Sequence, residues 1–528
     1  MKTHEQIKAG KTSLGIELGS TRIKAILVGE SPNEIVGSGS FEWENTIVDG
    51  LWSYSLEEVW TGIQEAFQDL QRDLEKSHGV RIRKLSSIGI SAMMHGYLAF
   101  DENDELLVPF RTWRNTNTQA ASDQLTELFG MNIPLRWSIA HLQQVIIDKD
   151  PHVSKIDFLT TLAGYVHHKL TGEKVLGIGD ASGMFPIDPT TKNYDQQKVE
   201  QFRQIESSSD LSKDLLGILP KVMLAGENAG ELTEAGAKLL DPTGELSAGA
   251  LLCPPEGDAG TGMVVTNAIA PSTGNISVGT SIFAMVVMEK PLSEIHHEID
   301  VVATPVGDSV AMVHCNNGAS ELAAWVSIFD EFAKLSNSQL STDQVYQLLL
   351  KQALDGESDA GGLLAYNYLA GEPISGLAHG RPTTIRTPES NFSLANFMRS
   401  QVLGVFATLS MGMQVLASEQ VRISQMNAHG GIFRTSGVAQ QLLSAAIDAP
   451  ISVASGASEG GAWGMATLAA FAKSEHSDLS EYLGERVFAE AETVTIKASH
   501  EEVKGFEQYL GRYKAGLAAV QKASEDVG

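Results

Sequence analysis

Ser13-Leu14-Gly15-Ile16-Glu17-Leu18, then Gly19-Ser20-Thr21, then Ile23-Lys24-Ala25-Ile26-Leu27-Val28: two apolar-rich runs flank a Gly-Ser-Thr turn, the pattern of a β-hairpin. A similar unit recurs later in the chain. Asn275-Ile276-Ser277-Val278 leads to Gly279-Thr280-Ser281, and Ile282-Phe283-Ala284-Met285-Val286-Val287 follows. The turn glycines Gly19 and Gly279 lie 260 residues apart, about half of the 528-residue chain. Gly-Ser/Thr turns between strands are common, so either one alone marks only a turn. The pair at this offset predicts a duplicated architecture.

Outward from the hairpins, strands and helices alternate. Leu85 to Ile90 reads as a strand, and Pro151 to Leu170 carries a helical pattern that stops at Thr171-Gly172. Ala250 to Pro254 leads into Gly257-Asp258. Val402, Phe406, Leu409, Met413 and Leu416 recur at steps of four and three, which marks one face of a long helix. Gln425 to Ala428 precedes His429-Gly430-Gly431, Val438 to Ile447 reads as a helix, and Pro450 to Val453 as a short strand. Glu459-Gly460-Gly461-Ala462-Trp463-Gly464 opens a further helix. Gly356 to Asn391 is rich in Gly and Pro and predicts a long surface loop, while the last fifty or so residues read as acidic and mostly helical. Such alternation predicts α/β layers.

Composition narrows the function classes. The chain holds 38 Lys and Arg against 65 Asp and Glu, a net charge of −27. An acidic chain repels phosphate backbones and anionic lipids, which argues against a nucleic-acid or membrane-surface partner. Charged residues make up 20% and apolar ones 43%, ordinary globular usage rather than disorder. Cys253 and Cys315 are the two cysteines; they form no disulfide framework or metal-ligand spacing and read as reduced core thiols. Met1 to Lys11 is polar without an apolar stretch, and no run approaches the ~18 apolar residues of a membrane span. The expectation is a soluble, cytoplasmic protein.

The Gly-Ser-Thr turns are candidate phosphate cradles, because the N–H groups of a tight turn form an anion-binding concavity. They are not P-loops. Gly10-Lys11-Thr12 lacks the upstream glycine and precedes a strand, whereas a P-loop follows one. Glu17 stands beside the first cradle, where a carboxylate could hold Mg²⁺ through water; alone it reads as a strand-end acid in solvent. Met93-Met94-His95-Gly96 follows the strand Leu85 to Ile90, and a lone His there is more often structural. Gly257-Asp258-Ala259-Gly260 places an Asp in a glycine-rich turn, where capping and Asx-turn roles are the common ones.

Together these residues resemble the FGGY carbohydrate kinases, relatives of actin and the heat-shock chaperone ATPases. Five features stand in order. Glu17 to Lys24 resembles the first phosphate motif. Met94-His95-Gly96 with Thr112-Trp113 resembles the sugar-side region. Gly179-Asp180-Ala181-Ser182-Gly183, with Pro186-Ile187-Asp188, resembles the family's D-A-S stretch. Gly257-Asp258 followed by Gly279-Thr280-Ser281 resembles the catalytic Asp and the second phosphate motif. Gly430-Gly431 with Glu459 to Gly464 resembles the adenosine region. The resemblance spans about Ser13 to Ala472, and its Met-His-Gly form is closest to xylulokinase-like pentulose kinases.

The resemblance implies an α/β fold of two ribonuclease-H-like lobes with a cleft between them. It divides the chain into an N-terminal lobe over 12–268, a C-terminal lobe over 269–475 and a helical extension over 476–528. It implies ATP-dependent phosphorylation of a small sugar, a ketopentose of the xylulose or ribulose kind, with Asp258 as general base. Met94, His95 and Trp113, with Asp258, would contact the sugar. Gly19, Ser20, Thr21 and Lys24, then Gly279, Thr280 and Ser281, would face the ATP phosphates. Gly430 and Gly431 would admit the adenosine, and Glu17 would hold Mg²⁺ through water. The partners implied are a sugar and Mg-ATP, with a homodimer as the assembly to test.

Two departures from the family pattern stand out. The first motif usually begins with Asp, and Glu17 carries its carboxylate one C–C bond further, roughly 1.5 Å. The sugar-side stretch often reads W-N-D-x-R, and here it is Trp113-Arg114-Asn115-Thr116-Asn117. They motivate a second reading from another class, an actin-like ATP-binding sensor with little transfer. A third, a chaperone-type ATPase, has no peptide-binding tail to support it. Asn316-Asn317-Gly318 is a polar cluster that reads equally as a turn or as part of a site.

Overall fold

A computed structural model describes residues 2–205, 210–454 and 460–527. The chain folds into two compact units. The first comprises 1–269, 301–310 and 457–491, and the second 270–300, 311–456 and 492–528.

The sheet of the first unit is built on the first hairpin. Strands β1 (Ser13–Leu18) and β2 (Arg22–Val28) pair antiparallel, and β3 (Ile35–Glu42) continues beyond β2. On the other side β4 (Ser87–Ala92) runs parallel to β1, with the short β5 (Leu251–Leu252) and β6 (Glu256–Gly257) parallel to β4. Leu14, Ile16 and Leu18 of β1 are fully buried. The helix Leu56–His78 covers one face through Val59, Ile63, Ala66, Phe67, Leu70 and Leu74. That spacing is the apolar stripe of an amphipathic helix. Ser55 caps its first turn in a reciprocal arrangement with Glu58, and Gly79 ends it in the left-handed conformation.

The second unit repeats this plan. β7 (Thr273–Val278) and β8 (Ile282–Val287) form the second hairpin. β9 (Ser309–Cys315) lies beyond β8, β10 (Gln425–Gly430) runs parallel to β7, and β11 (Ile451–Ala454) runs parallel to β10. The helix Leu394–Ser418 leads into β10 as Leu56–His78 leads into β4. It is the one described helix long and apolar enough to cross a membrane, and 78% of its most apolar window is buried inside the fold. Its hydropathy is that of a core element.

Several expectations are refined. The helical pattern over Pro151 to Leu170 resolves into a 3₁₀ turn, a strand at Phe158–Thr160 and a helix only from Leu162, because the Thr161 side chain accepts from Gly164 N–H and starts the helix there. The stretch Gly356 to Asn391 is not wholly a surface loop. It contains the hairpin Leu364–Tyr366 with Thr383–Ile385, and Leu364, Ala365, Tyr366 and Tyr368 are buried. Tyr509 and Tyr513 of the helix His500–Asp526 reach this hairpin, with Tyr366 and Tyr513 stacked at 4.3 Å. Cys253 and Cys315 are free and buried.

The closest approach in the first unit is made by the helix Gly460–Phe471. A Cβ on Gly15 of β1 would lie 2.0 Å from Ala462 O and 2.4 Å from Ala466 N, and one on Gly89 of β4 would lie 2.7 Å from Met465 O. These neighbours are backbone atoms that no rotamer change can move. Gly15→Ala is therefore expected to cost more than the usual overpacking penalty of about 1–3 kcal/mol. Urea denaturation checks this, and a loss under about 0.5 kcal/mol would mean the helix does not seat this deeply.

Candidate active site

The first turn is aimed by what holds its carbonyls. Glu17 stands opposite Lys24 and Leu18 opposite Ile23, so Gly19, Ser20 and Thr21, with Arg22 at the start of β2, lie between the closing pair. Gly19 N–H donates to Arg22 O at 3.0 Å. Trp43 Nε1 donates to Gly19 O at 2.7 Å, and the Tyr54 hydroxyl donates to Ser20 O at 2.6 Å. The two aromatic rings stack at 4.2 Å. The sequence offers no sign of either partner, since both lie well downstream of the turn.

Glu17 points at the N-terminus of the helix Gly460–Phe471. A Cβ on Gly461 would lie 2.3 Å from Glu17 Oε1. Burial and then the Asp258 carboxylate raise its pKa; Lys24 and the N–H groups of Ala462 and Gly461 oppose the rise. A carboxylate here meets unpaired N–H groups and the positive end of the helix dipole. Glu459 lies outside the described residues.

The Met94-His95-Gly96 segment turns sharply after β4. His95 has φ 68° and Gly96 φ 90°, and holding a non-glycine residue in this region costs on the order of 1 kcal/mol. The turn presents Met94 N–H to Asp258 Oδ1 at 3.2 Å. His95 is buried, stacks on Trp137 at 6.3 Å, and donates from Nδ1 to Gly183 O at 3.2 Å. Burial, with the Arg136 guanidinium next, pushes its pKa down to about 3, so the ring is neutral at pH 7. Trp113 is exposed at 38%. Arg114 lies over the Trp52 ring at 4.2 Å, and the Asn115 amide is bonded to the Trp52 backbone at 2.8 and 2.9 Å. The unusual Asn115 thus holds its own loop.

Asp258 begins the helix Asp258–Val265, one residue after β6. Crowding by protein on its inner side raises its carboxyl, opposed by the Met94 and Ala259 N–H groups and by Arg136; its outer side is exposed, which tempers the rise. Behind it lie two carboxyls that sequence reasoning did not assign to the site. Asp180 is fully buried, its Oδ2 accepting from Thr161 Oγ1 at 2.6 Å, while Oδ1 has no hydrogen-bond partner among the described residues. A Cβ on Gly257 would lie 3.1 Å from that Oδ1. Glu256 accepts from Gly179 N–H at 3.2 Å and from Asp180 N–H at 2.9 Å. Burial raises both, to about 7 for Asp180 with Asp258 adding to it, and Glu256 is raised further by Asp180. Asp180 sits in a stretch the sequence singled out; Glu256 carries no signal beyond standing two residues before Asp258.

In the second unit, the closing pair of the turn is Val278 with Ile282, so Gly279, Thr280 and Ser281 form a loop one residue shorter than its counterpart. Gly318 N–H donates to Thr280 O at 2.6 Å and Ala319 N–H to Gly279 O at 2.8 Å. The cluster Asn316-Asn317-Gly318 therefore sits directly behind the turn. Gly430, with φ 127°, ends β10, and a Cβ there would lie 2.1 Å from Val278 O. Its need for glycine is met by strand packing, whereas Gly431 has open space around it.

Comparison with known proteins agrees with this architecture. Residues 12–244 match the N-terminal domain of the FGGY family of carbohydrate kinases, and 274–473 match its C-terminal domain. A xylulose kinase of Haemophilus influenzae is 23% identical over 438 residues, covering 80% of this chain and 83% of its own. A gluconokinase of Bacillus licheniformis is 25% identical over 375 residues, 68% of each chain. The structure of ligand-bound xylulose kinase from Lactobacillus acidophilus superimposes with a TM-score of 0.77 at 18% identity, covering 98% of this chain and 99% of that one. The fold is thus the actin-like α/β fold of the sugar kinases. The chain belongs to the FGGY family of carbohydrate kinases.

The raised pKa of Asp180 has a consequence for stability. Below the ordinary carboxylate range the folded and unfolded chains are both protonated. As pH rises, the unfolded chain releases its proton first, so the stability this group contributes is lost progressively until pH passes about 7. Asp180→Asn keeps an oxygen for Thr161 and removes the titration. Its urea midpoint is expected to fall less than the parent's between about pH 5 and 8. Parallel profiles for parent and variant would mean that Asp180 is ionised throughout.

Proposed function

We propose that the chain transfers the γ-phosphoryl group of ATP to a hydroxyl of a ketopentose of the xylulose or ribulose kind. The observation that carries this is Asp258, whose Oδ1 is held at 3.2 Å by the Met94 N–H of the Met94-His95-Gly96 turn. A general base has to be in hydrogen-bond reach of the proton it accepts, and its pKa matters second. Asp258 takes the acceptor hydroxyl's proton as that oxygen attacks phosphorus and the bond to ADP breaks. Met94, neutral His95 and Trp113 are assigned to the sugar. The turn Gly19-Ser20-Thr21 with Lys24, and the turn Gly279-Thr280-Ser281, are each assigned to ATP phosphates, and Gly430 and Gly431 to the adenosine.

FGGY kinases generally use ATP with Mg²⁺. The donor chemistry near Glu17 suits that ion through water. The Asp258 carboxylate raises the cost of ionising Glu17, which a cation relieves, and Glu17 retains acceptor capacity beside its helix contacts. No group of three or more His, Cys, Asp or Glu is gathered for a metal among the described residues, so nucleotide oxygens and water would complete the shell. When bound, the ion neutralises charge on the transferring phosphoryl oxygens.

A specific observation supports a second acceptor class. The Arg136 guanidinium is close enough to Asp258 and His95 to lower both pKa values. A fixed cation at the acceptor end suits a sugar acid such as gluconate, and a gluconokinase is among the relatives.

Sugar-stimulated ADP release, screened over ketoses, polyols, aldoses and aldonates, tests both. Release with D-xylulose or D-ribulose is the expected outcome, and silence from folded, ATP-binding protein would sink the kinase reading. A kcat/KM for D-gluconate above that for the ketopentoses, lost on Arg136→Leu, would favour the second acceptor class. Asp258→Asn is expected to leave the ADP-induced thermal shift intact while lowering kcat by about 10²–10⁴. Near-parental turnover would remove Asp258 from the base role.

A further inference from the structure

Both turns are tied from behind through the same two carbonyls. In the first, Gly19 O and Ser20 O accept from Trp43 Nε1 and the Tyr54 hydroxyl. In the second, Gly279 O and Thr280 O accept from Ala319 N–H and Gly318 N–H. A trans peptide unit is planar, with its C=O and the following N–H on opposite sides. Fixing the carbonyl of one residue therefore fixes the direction of the next residue's N–H. Tying Gly19 O and Ser20 O aims the N–H groups of Ser20 and Thr21 away from Trp43 and Tyr54. Tying Gly279 O and Thr280 O aims those of Thr280 and Ser281 away from the 318–319 segment. Two successive N–H groups pointing the same way make an anion-binding concavity.

The second tether is itself braced. Asn317 is buried at 4% exposure and Glu372 at 0%. Asn317 Oδ1 accepts from Leu369 N–H at 2.8 Å and Ala370 N–H at 2.9 Å, and Nδ2 donates to Ala370 O at 3.2 Å and Glu372 Oε2 at 3.0 Å. The Asn317 backbone N–H donates to the same Oε2 at 3.2 Å. Every donor and acceptor site of the Asn317 amide is used, so the segment carrying Gly318 has one position. Gly318 must also lack a side chain, since a Cβ would lie 2.3 Å from Gly279 O.

We propose that Tyr54 with Trp43, and the Asn317–Glu372 pair, are positioning residues for the nucleotide phosphates: they act by holding the carbonyls of the two turns so that the turns' N–H groups stay aimed at an anion. None of the four is assigned to touch nucleotide. The proposal rests on the reading that the two turns bind the phosphates of ATP.

The test uses three variants of the full chain. Tyr54→Phe removes one hydroxyl and keeps the ring stacked on Trp43. Asn317→Asp removes the two Nδ2 donors and sets a second carboxylate against Glu372. The double variant Asn317→Asp with Glu372→Gln restores a donor-acceptor pair across the same contact. Each single variant is expected to weaken ADP binding by calorimetry, and to raise the KM for ATP, about three- to tenfold. The KM for the sugar should stay within about twofold, and the double variant should recover most of the ADP affinity. Loss of stability without this split would not reproduce the recovery.

Hydrogen exchange of the peptides covering 19–21 and 279–281, with and without ADP, runs alongside on the parent. Protection at both turns together with weakened ADP binding in the single variants supports the proposal. Protection with ADP affinity unchanged in Tyr54→Phe and Asn317→Asp overturns the tethers and leaves the phosphate reading standing. Absence of protection at both turns overturns the phosphate reading and the tethers with it. Should Asn317→Asp fail to fold, Tyr54→Phe alone decides.

Discussion

The seating of one helix against bare backbone is the constraint on which the first unit depends. Gly460–Phe471 lies so near β1 and β4 that Gly15 and Gly89 have no room for a methyl group. It also packs against the helix that begins at Asp258, where a Cβ on Gly464 would lie 2.8 Å from Thr261 O. Small residues on all three elements bring backbones together, and packing at this distance leaves little freedom for relative displacement. Because β1 leads into the turn at Gly19 and Asp258 directly follows β6, the one contact locates both the turn and the carboxylate. Glu17 completes it by meeting the helix N-terminus.

The two units solve the same folding problem with different residues. Each has an antiparallel hairpin, a third strand beyond it, a long helix, and a parallel strand returning beside the first. Two residues before the turn glycine stands Glu17 in one unit and Ser277 in the other. Opposite them stand Lys24 and Phe283. The first hairpin thus carries an opposed pair of charges where the second carries a hydroxyl and an aromatic ring, the latter stacked on His314 at 4.2 Å. Side chains hold the carbonyls of the first turn and backbone N–H groups those of the second. What is common is the backbone path, and the chemistry hung on it has diverged.

Much of this was legible in the sequence because the hairpin strands are apolar-rich runs and their turns are short. The helix around Val402 to Leu416 announced itself by its period, and both glycine-hydroxyl turns, Met94-His95-Gly96 and Asp258 stood out as motifs. Other features were hidden for physical reasons. Gly460–Phe471 could be read as a helix, but its partner could not, since nothing local says that an all-small surface fits a strand hundreds of residues earlier. Glu256 looks like an ordinary surface acid until burial raises its pKa, and the stretch holding Asp180 stood out without showing that its carboxyl is buried beside Glu256. The hairpin at Leu364–Tyr366 was masked by surrounding Gly and Pro, and its burial comes from tyrosines in the last helix. Trp43 and Tyr54 gave no sign because their role is a contact with someone else's carbonyl.

The return of residues 457–491 to the first unit also sets an order in time. Gly15 and Ala462 stand 447 residues apart. At a synthesis rate of ~5–20 residues per second, roughly 20 to 90 s separate the appearance of the groove on β1 from that of the helix that fills it. During that interval the growing chain presents a strip of glycine-lined strand with nothing upon it. The early half of this protein therefore waits on the late half to finish its own core, and the interval is one in which a chaperone has something to cover.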